Sequence, residues 1–328
     1  MSVVSQSLVK KTFVGKVLAL CGGVGGAKLA WGLTQALLPE QLTIVVNTGD
    51  DFEHLGLHIS PDLDTVMYTL AGIHNRELGW GLAGESWQCM AALEQLGGET
   101  WFRLGDRDLA THLFRTQQLS QGKSLTEITA TLYRQLGVQH TVIPMSNDAV
   151  RTRVNTDIGE LAFQEYFVRR QCQPKVLGVH FAGAESASVS PQVLAALADP
   201  DLRAVIVCPS NPLLSIAPVL AVRGLRSALQ ATTAPVVVVS PLIGGKAVKG
   251  PTAKMMQELA LPCDSMGIAD FYRDIADCIV IDEADSADMN KLGIQTRVCK
   301  TLMKTDDDKR RLANALLAIV EKDLLQGK

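Results

Sequence analysis

The sequence lacks the signatures of several common chemistries. Its seven cysteines (Cys21, Cys89, Cys172, Cys208, Cys263, Cys278 and Cys299) include no C-x-x-C pair, which argues against structural zinc. The six histidines form no H-E-x-x-H motif, and no G-x-S-x-G elbow occurs, so nucleophilic triad chemistry has no support. No uncharged apolar run approaches the roughly 18 residues that cross a bilayer. Met1–Lys11 has no apolar core of signal-peptide length, and its lysines follow the apolar residues. These absences, with thiols set among apolar neighbours, predict a soluble cytoplasmic chain with reduced cysteines and no membrane partner. A net charge of −3 and a pI near 6.1 exclude a general polyanion or nucleic-acid binder, so anionic ligands must be held by local groups.

What is present is an alternating pattern. The 328 residues, 47% hydrophobic and 20% charged, suit one large α/β domain with an insertion. Near-continuous apolar runs at Val17–Cys21, Thr43–Val46, Val176–His180, Ala204–Cys208, Val236–Ser240 and Cys278–Asp282 predict parallel strands buried on both faces. Helices are expected after Gly26 and over Pro191–Ala198, Pro218–Gln230 and Pro251–Leu259. A final helix is expected to be capped by Thr305, with Leu312, Leu316, Ile319, Val320 and Leu324 on one face. The stretch between the second and third of these strands is too long for a simple crossover. It predicts a cap, mainly helical from Thr65 to Gly137, ending in a hairpin of Ala149–Asn155 and Glu160–Arg170. The expected division is residues 1–64 with 171–328 for the sheet domain, and 65–170 for the cap.

Two loops after the first two strands carry the chemistry. Gly22-Gly23-Val24-Gly25-Gly26-Ala27-Lys28 is neither a Walker A motif nor a full dinucleotide fingerprint, since Lys28 stands at the last glycine position. Its glycines allow a phosphate to approach the next helix's N-terminus; a tight strand-to-helix turn has the same sequence. Asn47-Thr48-Gly49-Asp50-Asp51 and Ser60-Pro61-Asp62-Leu63-Asp64 supply two acidic pairs, which repel phosphate unless a cation lies between. Asp64 or Thr65 also suits a helix start. Three of the four tryptophans (Trp80, Trp87 and Trp101) fall close together and could stack on a planar ring or fill the cap's core. Arg107 and Asp108 read equally well as an ion pair at a helix start. Ser210-Asn211-Pro212, and Gly244-Gly245-Lys246 with Lys249, follow later strands and suggest further phosphate contacts, though lysines are usually solvated.

These blocks, in this order, resemble the 2-phospho-L-lactate transferase family of coenzyme F-420 biosynthesis. The resemblance spans Gly22–Leu29, Asn47–Asp51, Ser60–Gly72, Gly79–Gly81, Trp101–His112, Phe163–Val168, Ser210–Pro212, Ile243–Pro251 and Ile281–Asp285. It implies a Rossmann-like three-layer fold with a helical cap, a homodimer, and a Mg²⁺-dependent transfer. A phosphorylated three-carbon acid, of the phospholactate or phosphoenolpyruvate type, would pass from a guanosine diphosphate-linked donor. The acceptor would be the ribityl hydroxyl of 7,8-didemethyl-8-hydroxy-5-deazariboflavin (Fo), with GMP leaving. On that footing Asp50 and Asp51 are the catalytic candidates, and Asp50, Asp62 and Asp64 the metal candidates. Asp50, Asp62, Trp80 and Trp87 are expected at Fo. Gly22, Gly23, Gly25, Gly26, Lys28, Ser210, Asn211, Pro212, Gly244, Gly245, Lys246 and Lys249 are expected at the donor. The competing readings are an NAD(P)-dependent oxidoreductase, which the incomplete fingerprint weakens, and a non-catalytic guanine-nucleotide-binding module.

Overall fold

The computed structural model describes residues 13–247 and 251–325. Seven parallel strands form its central sheet, in the spatial order Gln295–Cys299, Cys278–Asp282, Val236–Val239, Leu202–Val207, Lys16–Cys21, Leu42–Val46 and Thr141–Pro144. Successive side chains of a strand point to opposite faces, and here both faces are covered. Val17, Ala19 and Cys21 meet helices Gly23–Ala36, Pro61–Leu70 and Asp306–Ile319, while Leu18 and Leu20 meet the layer containing Pro191–Leu197, Leu225–Ala231 and Ser265–Tyr272. The result is the expected α/β sandwich of three layers.

Several boundaries differ from expectation. Thr141–Pro144 lies inside the span assigned to the cap, yet it forms one edge of the main sheet. Gln295–Cys299 forms the other. Neither run is uniformly apolar, because an edge strand is only partly covered. Val176–Ala182, expected in the parallel sheet, instead pairs antiparallel with Arg151–Thr156, whose other neighbour is Gly159–Ala162. Its exposed Leu177, His180 and Ala182 mark a strand with solvent on part of its surface. The second hairpin arm stops at Ala162, and Glu165–Arg169 forms a π turn. The helix expected over Pro218–Gln230 breaks into Ala217–Ala221 and Leu225–Ala231 around Gly224, whose φ is +91°. The first helix starts at Gly23, ahead of Gly26.

The cap helices Gln88–Gln95 and Asp106–Ser120 pack on a hairpin made by Phe52–His54 and Leu57–Ile59, so the cap's base begins before residue 65. The two helices cap one another. Asp106 accepts from the N–H groups of Gln88 and Cys89, and Glu85 accepts from those of Arg107 and Asp108. Arg107 donates to the Ala83 carbonyl at 2.9 Å, while Asp108 turns to other partners.

The last helix has a capping box, with Thr305 Oγ1 accepting from Asp308 N–H and Asp308 accepting from Thr305 N–H. It lies tight against the first helix: a Cβ on Gly32 would stand 2.3 Å from the Lys309 carbonyl oxygen. Gly32→Ala is expected to destabilise the fold by about 1–3 kcal/mol through overpacking. The check is a lower denaturation midpoint at unchanged denaturant slope.

Candidate active site at the sheet's switch point

Strand order reverses between Lys16–Cys21 and Leu202–Val207, and open α/β sheets bind ligands at the carboxyl ends of strands at such a point. The loops after these two strands are in contact. Gly22 N–H donates to Ser210 Oγ at 3.2 Å, and a Cβ on Gly25 would fall 2.3 Å from the Pro209 carbonyl oxygen. Gly23 has φ +63°, which disfavours other residues there. The glycines are therefore needed first for packing between strand ends. The helix they open has no acidic residue in its own first turn, and Asp62 from the neighbouring helix takes only its first N–H, so the rest of its positive end is suited to an anion.

Asp62 ties this turn to the acidic loop. Its carboxylate accepts from Gly23 N–H at 2.8 Å and from Asn47 Nδ2 at 3.0 Å. Asn47, which the sequence places in this loop without a role of its own, also accepts from Gly49 N–H through Oδ1 and reaches the Leu214 carbonyl through Nδ2. Asp50 accepts from Thr152 Oγ1 at 3.2 Å. That contact brings in the antiparallel sheet, and nothing near Thr152 in the sequence announces it. Asp51 accepts from Ser60 Oγ at 2.8 Å and lies 3.1 Å from His58 Nε2. Its Oδ1, like Thr48 Oγ1 in the same loop, is buried without a partner.

Burial dominates the electrostatics. It raises Asp50 well above the ordinary carboxylate range, with the nearby Asp62 charge adding to it and the Thr152 hydroxyl opposing it. Burial likewise pushes Asp62 up to about 6 against the bonds from Asn47 and Gly23. A cation would reverse both shifts. Among the described residues no three His, Cys, Asp or Glu side chains converge to hold a metal. Mg²⁺ commonly takes only one or two carboxylates, with water and phosphate completing its shell. Asp50 and Asp62 suit that mode, and the orphaned Asp51 oxygen leaves acceptor capacity in the same loop.

Asp64 is placed differently. Both its oxygens receive the Arg115 guanidinium, Nη1 at 3.1 Å and Nη2 in a shorter contact. Burial works against the Arg115 charge, but Asp64 more than offsets it, so its pKa is raised. His112 lies in the same cluster, and its Nε2 is 3.2 Å from Asp108 Oδ2. Asp108 also accepts from Tyr68 Oη at 2.5 Å and lines a cavity of about 230 Å³ with Trp80, Trp87, Asn75 and Glu85. Trp80 and Trp87 thus share a cavity. Trp101 packs elsewhere, edge-on to His54 and Phe102.

The donor candidates divide. Gly22, Gly23, Gly25, Gly26 and Ser210 meet at the switch point. Asn211 caps the turn beginning at Pro212, accepting from Leu213 and Leu214 N–H. Lys28 Nζ donates to the Met303 carbonyl at 3.0 Å. The supposed second cradle already holds an anion: Gly244 and Gly245 N–H donate to the two oxygens of Asp285, at 2.9 and 2.8 Å. Lys246 is exposed beside it, and Lys249 lies outside the described residues.

Comparison with known proteins identifies the family. The family model described as 2-phospho-L-lactate transferase CofD matches residues 17–325. A 2-phospho-L-lactate transferase of Methanosarcina acetivorans is 39% identical over 308 residues, covering 93% of this chain and 99% of the relative. A phosphoenolpyruvate transferase of Kitasatospora aureofaciens is 39% identical over 316 residues, covering 93% and 98%. A crystal structure of a UPF0052 family member from Bacillus halodurans has a TM-score of 0.59 at 17% identity, covering 93% of this chain and 99% of that one. The chain belongs to the 2-phospho-L-lactate transferase (CofD) family, the transferases of coenzyme F-420 biosynthesis.

Proposed function

We propose that this protein transfers a phosphorylated three-carbon acid from its guanosine diphosphate-linked donor to the ribityl hydroxyl of Fo, releasing GMP. The observation that carries the reading is the meeting of a helix N-terminus with buried Asp50, Asp51 and Asp62 at the switch point. Family membership sets aside the hydride-transfer and non-catalytic readings. The acceptor oxygen bonds the phosphorus of the phospho-acid as the bond to the GMP oxygen breaks. Such displacements depend mainly on positioning and charge neutralisation.

The donor's diphosphate faces the N-terminal end of Gly23–Ala36, and Lys246 is an exposed cation in a later strand-end loop. Asp50 and Asp62 would hold Mg²⁺, which when bound neutralises phosphate charge. Asp64 is left out of this set because the Arg115 cation already neutralises it, whereas the partners of Asp62 are neutral. Asp50 also orients the acceptor hydroxyl, and Asp51, fixed by Ser60 and His58, holds the loop in shape. The cavity is smaller than the roughly 300–1,000 Å³ typical of small-molecule sites. It would therefore take only the planar ring, against Trp80 and Trp87, with the ribityl chain leaving it.

The deciding assay incubates the protein with Fo, Mg²⁺ and, in turn, phospholactate-, phosphoenolpyruvate- and phosphoglycerate-derived guanosine diphosphate donors. Mass spectrometry should detect GMP and the phosphodiester; no product with any donor would sink the proposal. Asp50→Ala should lower turnover by at least about 100-fold with the fold retained by circular dichroism. Near-normal activity would remove Asp50 from its role.

The raised Asp62 has a signed consequence. The folded state holds its proton more tightly than the unfolded chain, so this group's contribution to stability falls as pH rises from about 4 to about 6. Metal binding runs the other way, since it needs the ionised form. The gain in Tm on adding Mg²⁺ should be larger at pH 7 than at pH 5, and Asp62→Asn should flatten that difference. An equal gain at both pH values in the unaltered protein would count against Asp62 as a ligand.

A further inference from the structure

Asp108, His112 and Arg115 recur at i, i+4 and i+7 on one cap helix, and Asp64 and Tyr68 at i, i+4 on the helix that carries Asp62. These spacings put each set on one helix face, and the two faces meet through polar groups. Arg115 and His112 are 2% and 1% exposed, and Asp64 is 5% exposed. A buried ion pair of this kind is weak evidence for stability, because well-packed apolar residues of similar volume often serve as well. Its effect here is geometric. It locks the first turn of the helix bearing Asp62 to a cap helix whose Asp108 faces the Trp80–Trp87 cavity.

We infer that His112 is a positioning residue that couples occupancy of the aromatic cavity to the pose of Asp62 at the phosphate end of the site. The inference rests on the function proposed above. His112 stands between the two carboxylates: its Nδ1 accepts at 3.3 Å from Nη1 of Arg115, the guanidinium that holds Asp64, and its Nε2 is 3.2 Å from Asp108 Oδ2. The Nε2 contact is close but misaligned, so this buried nitrogen has no hydrogen bond. Asp108, meanwhile, is held on its other oxygen by Tyr68. A ligand hydroxyl meeting Asp108 in the cavity re-aims its carboxylate and brings Oδ2 into line with Nε2. The cluster thereby has two arrangements, and Arg115, with the Asp64 it holds, passes the change to the turn where Asp62 holds Gly23 and Asn47. Coupling between sites requires such a two-state element.

The test is a binding cycle with Mg²⁺ present throughout. Fo is titrated by tryptophan fluorescence with and without saturating guanosine diphosphate, for the unaltered protein, His112→Phe and His112→Gln. Guanosine diphosphate should strengthen Fo binding in the unaltered protein by about fivefold or more, within the usual range of coupling between sites. In His112→Phe each ligand alone should still bind, but the coupling factor should fall below about twofold. His112→Gln can meet Asp108 or Arg115 but not both, so its coupling should be intermediate; it carries the test if the Phe variant does not fold. A purely structural role would lower Tm and leave the coupling factor alone. Undiminished coupling in a folded variant, or none in the unaltered protein, would overturn the inference while leaving the transferase reading intact. Failure of Fo to bind at all would overturn both.

Discussion

Asp62 is the point through which the site is assembled. One carboxylate accepts from the backbone after the first strand, at Gly23, and from the side chain after the second, at Asn47. Asn47 in turn holds the carbonyl of Leu214, in the turn that follows the strand on the other side of the switch point. Three strand ends therefore converge on a group that is 7% exposed. A charge this deep is tolerated because each oxygen accepts a hydrogen bond. The bonds come from groups fixed by the sheet, so the position of Asp62 is inherited from the fold and not from a loop's own preferences.

The same burial that fixes the carboxylates sets them against one another. Asp50 is raised by burial and by the Asp62 charge, a repulsion that a cation between them would relieve. With a net charge of only −3 on the chain, attraction of an anionic donor must be generated locally. In the proposed reaction a helix N-terminus and a bound cation would do that, and neither would distinguish one phosphorylated three-carbon acid from another. Relatives named for phospholactate and for phosphoenolpyruvate match this chain at the same 39% identity. The two acids carry the same charged groups and differ by a double bond. Discrimination between them must come from the shape of a few contacts, worth about 1–3 kcal/mol on the scale of a methylene group.

The sheet was legible where strands are central and the apolar run is continuous, as at Val236–Val239. It was illegible at the two edges, Thr141–Pro144 and Gln295–Cys299, where partial burial permits polar residues. Val176–Ala182 was misplaced for a related reason: a run of valine and leucine reads alike in parallel and antiparallel sheets. At the site, the residues that carry charge stood out in the sequence, while those that hold them did not. Asn47 and Thr152 are ordinary polar residues whose roles arise only when distant segments meet. Asp64 looked equivalent to Asp62 because alternate acidic residues share a sequence pattern. Two residues along a helix swing the side chain round by about 200°, giving one to the glycine loop and the other to Arg115.

The two glycine clusters show how far such a pattern reaches. Both follow a strand, and both use positive φ at glycine, at Gly23 and at Gly244–Gly245. Consecutive N–H groups in that conformation form a receptor for any anion. At Gly244–Gly245 the anion is the protein's own Asp285, bound through both oxygens. At Gly22–Gly23 one N–H goes to Ser210 and one to Asp62, while the following helix still presents its positive end. An internal carboxylate satisfies a nest as well as a phosphate does. A glycine cluster therefore identifies a place where backbone amides are exposed, and the surrounding acidic residues decide whether a ligand or the chain itself fills it.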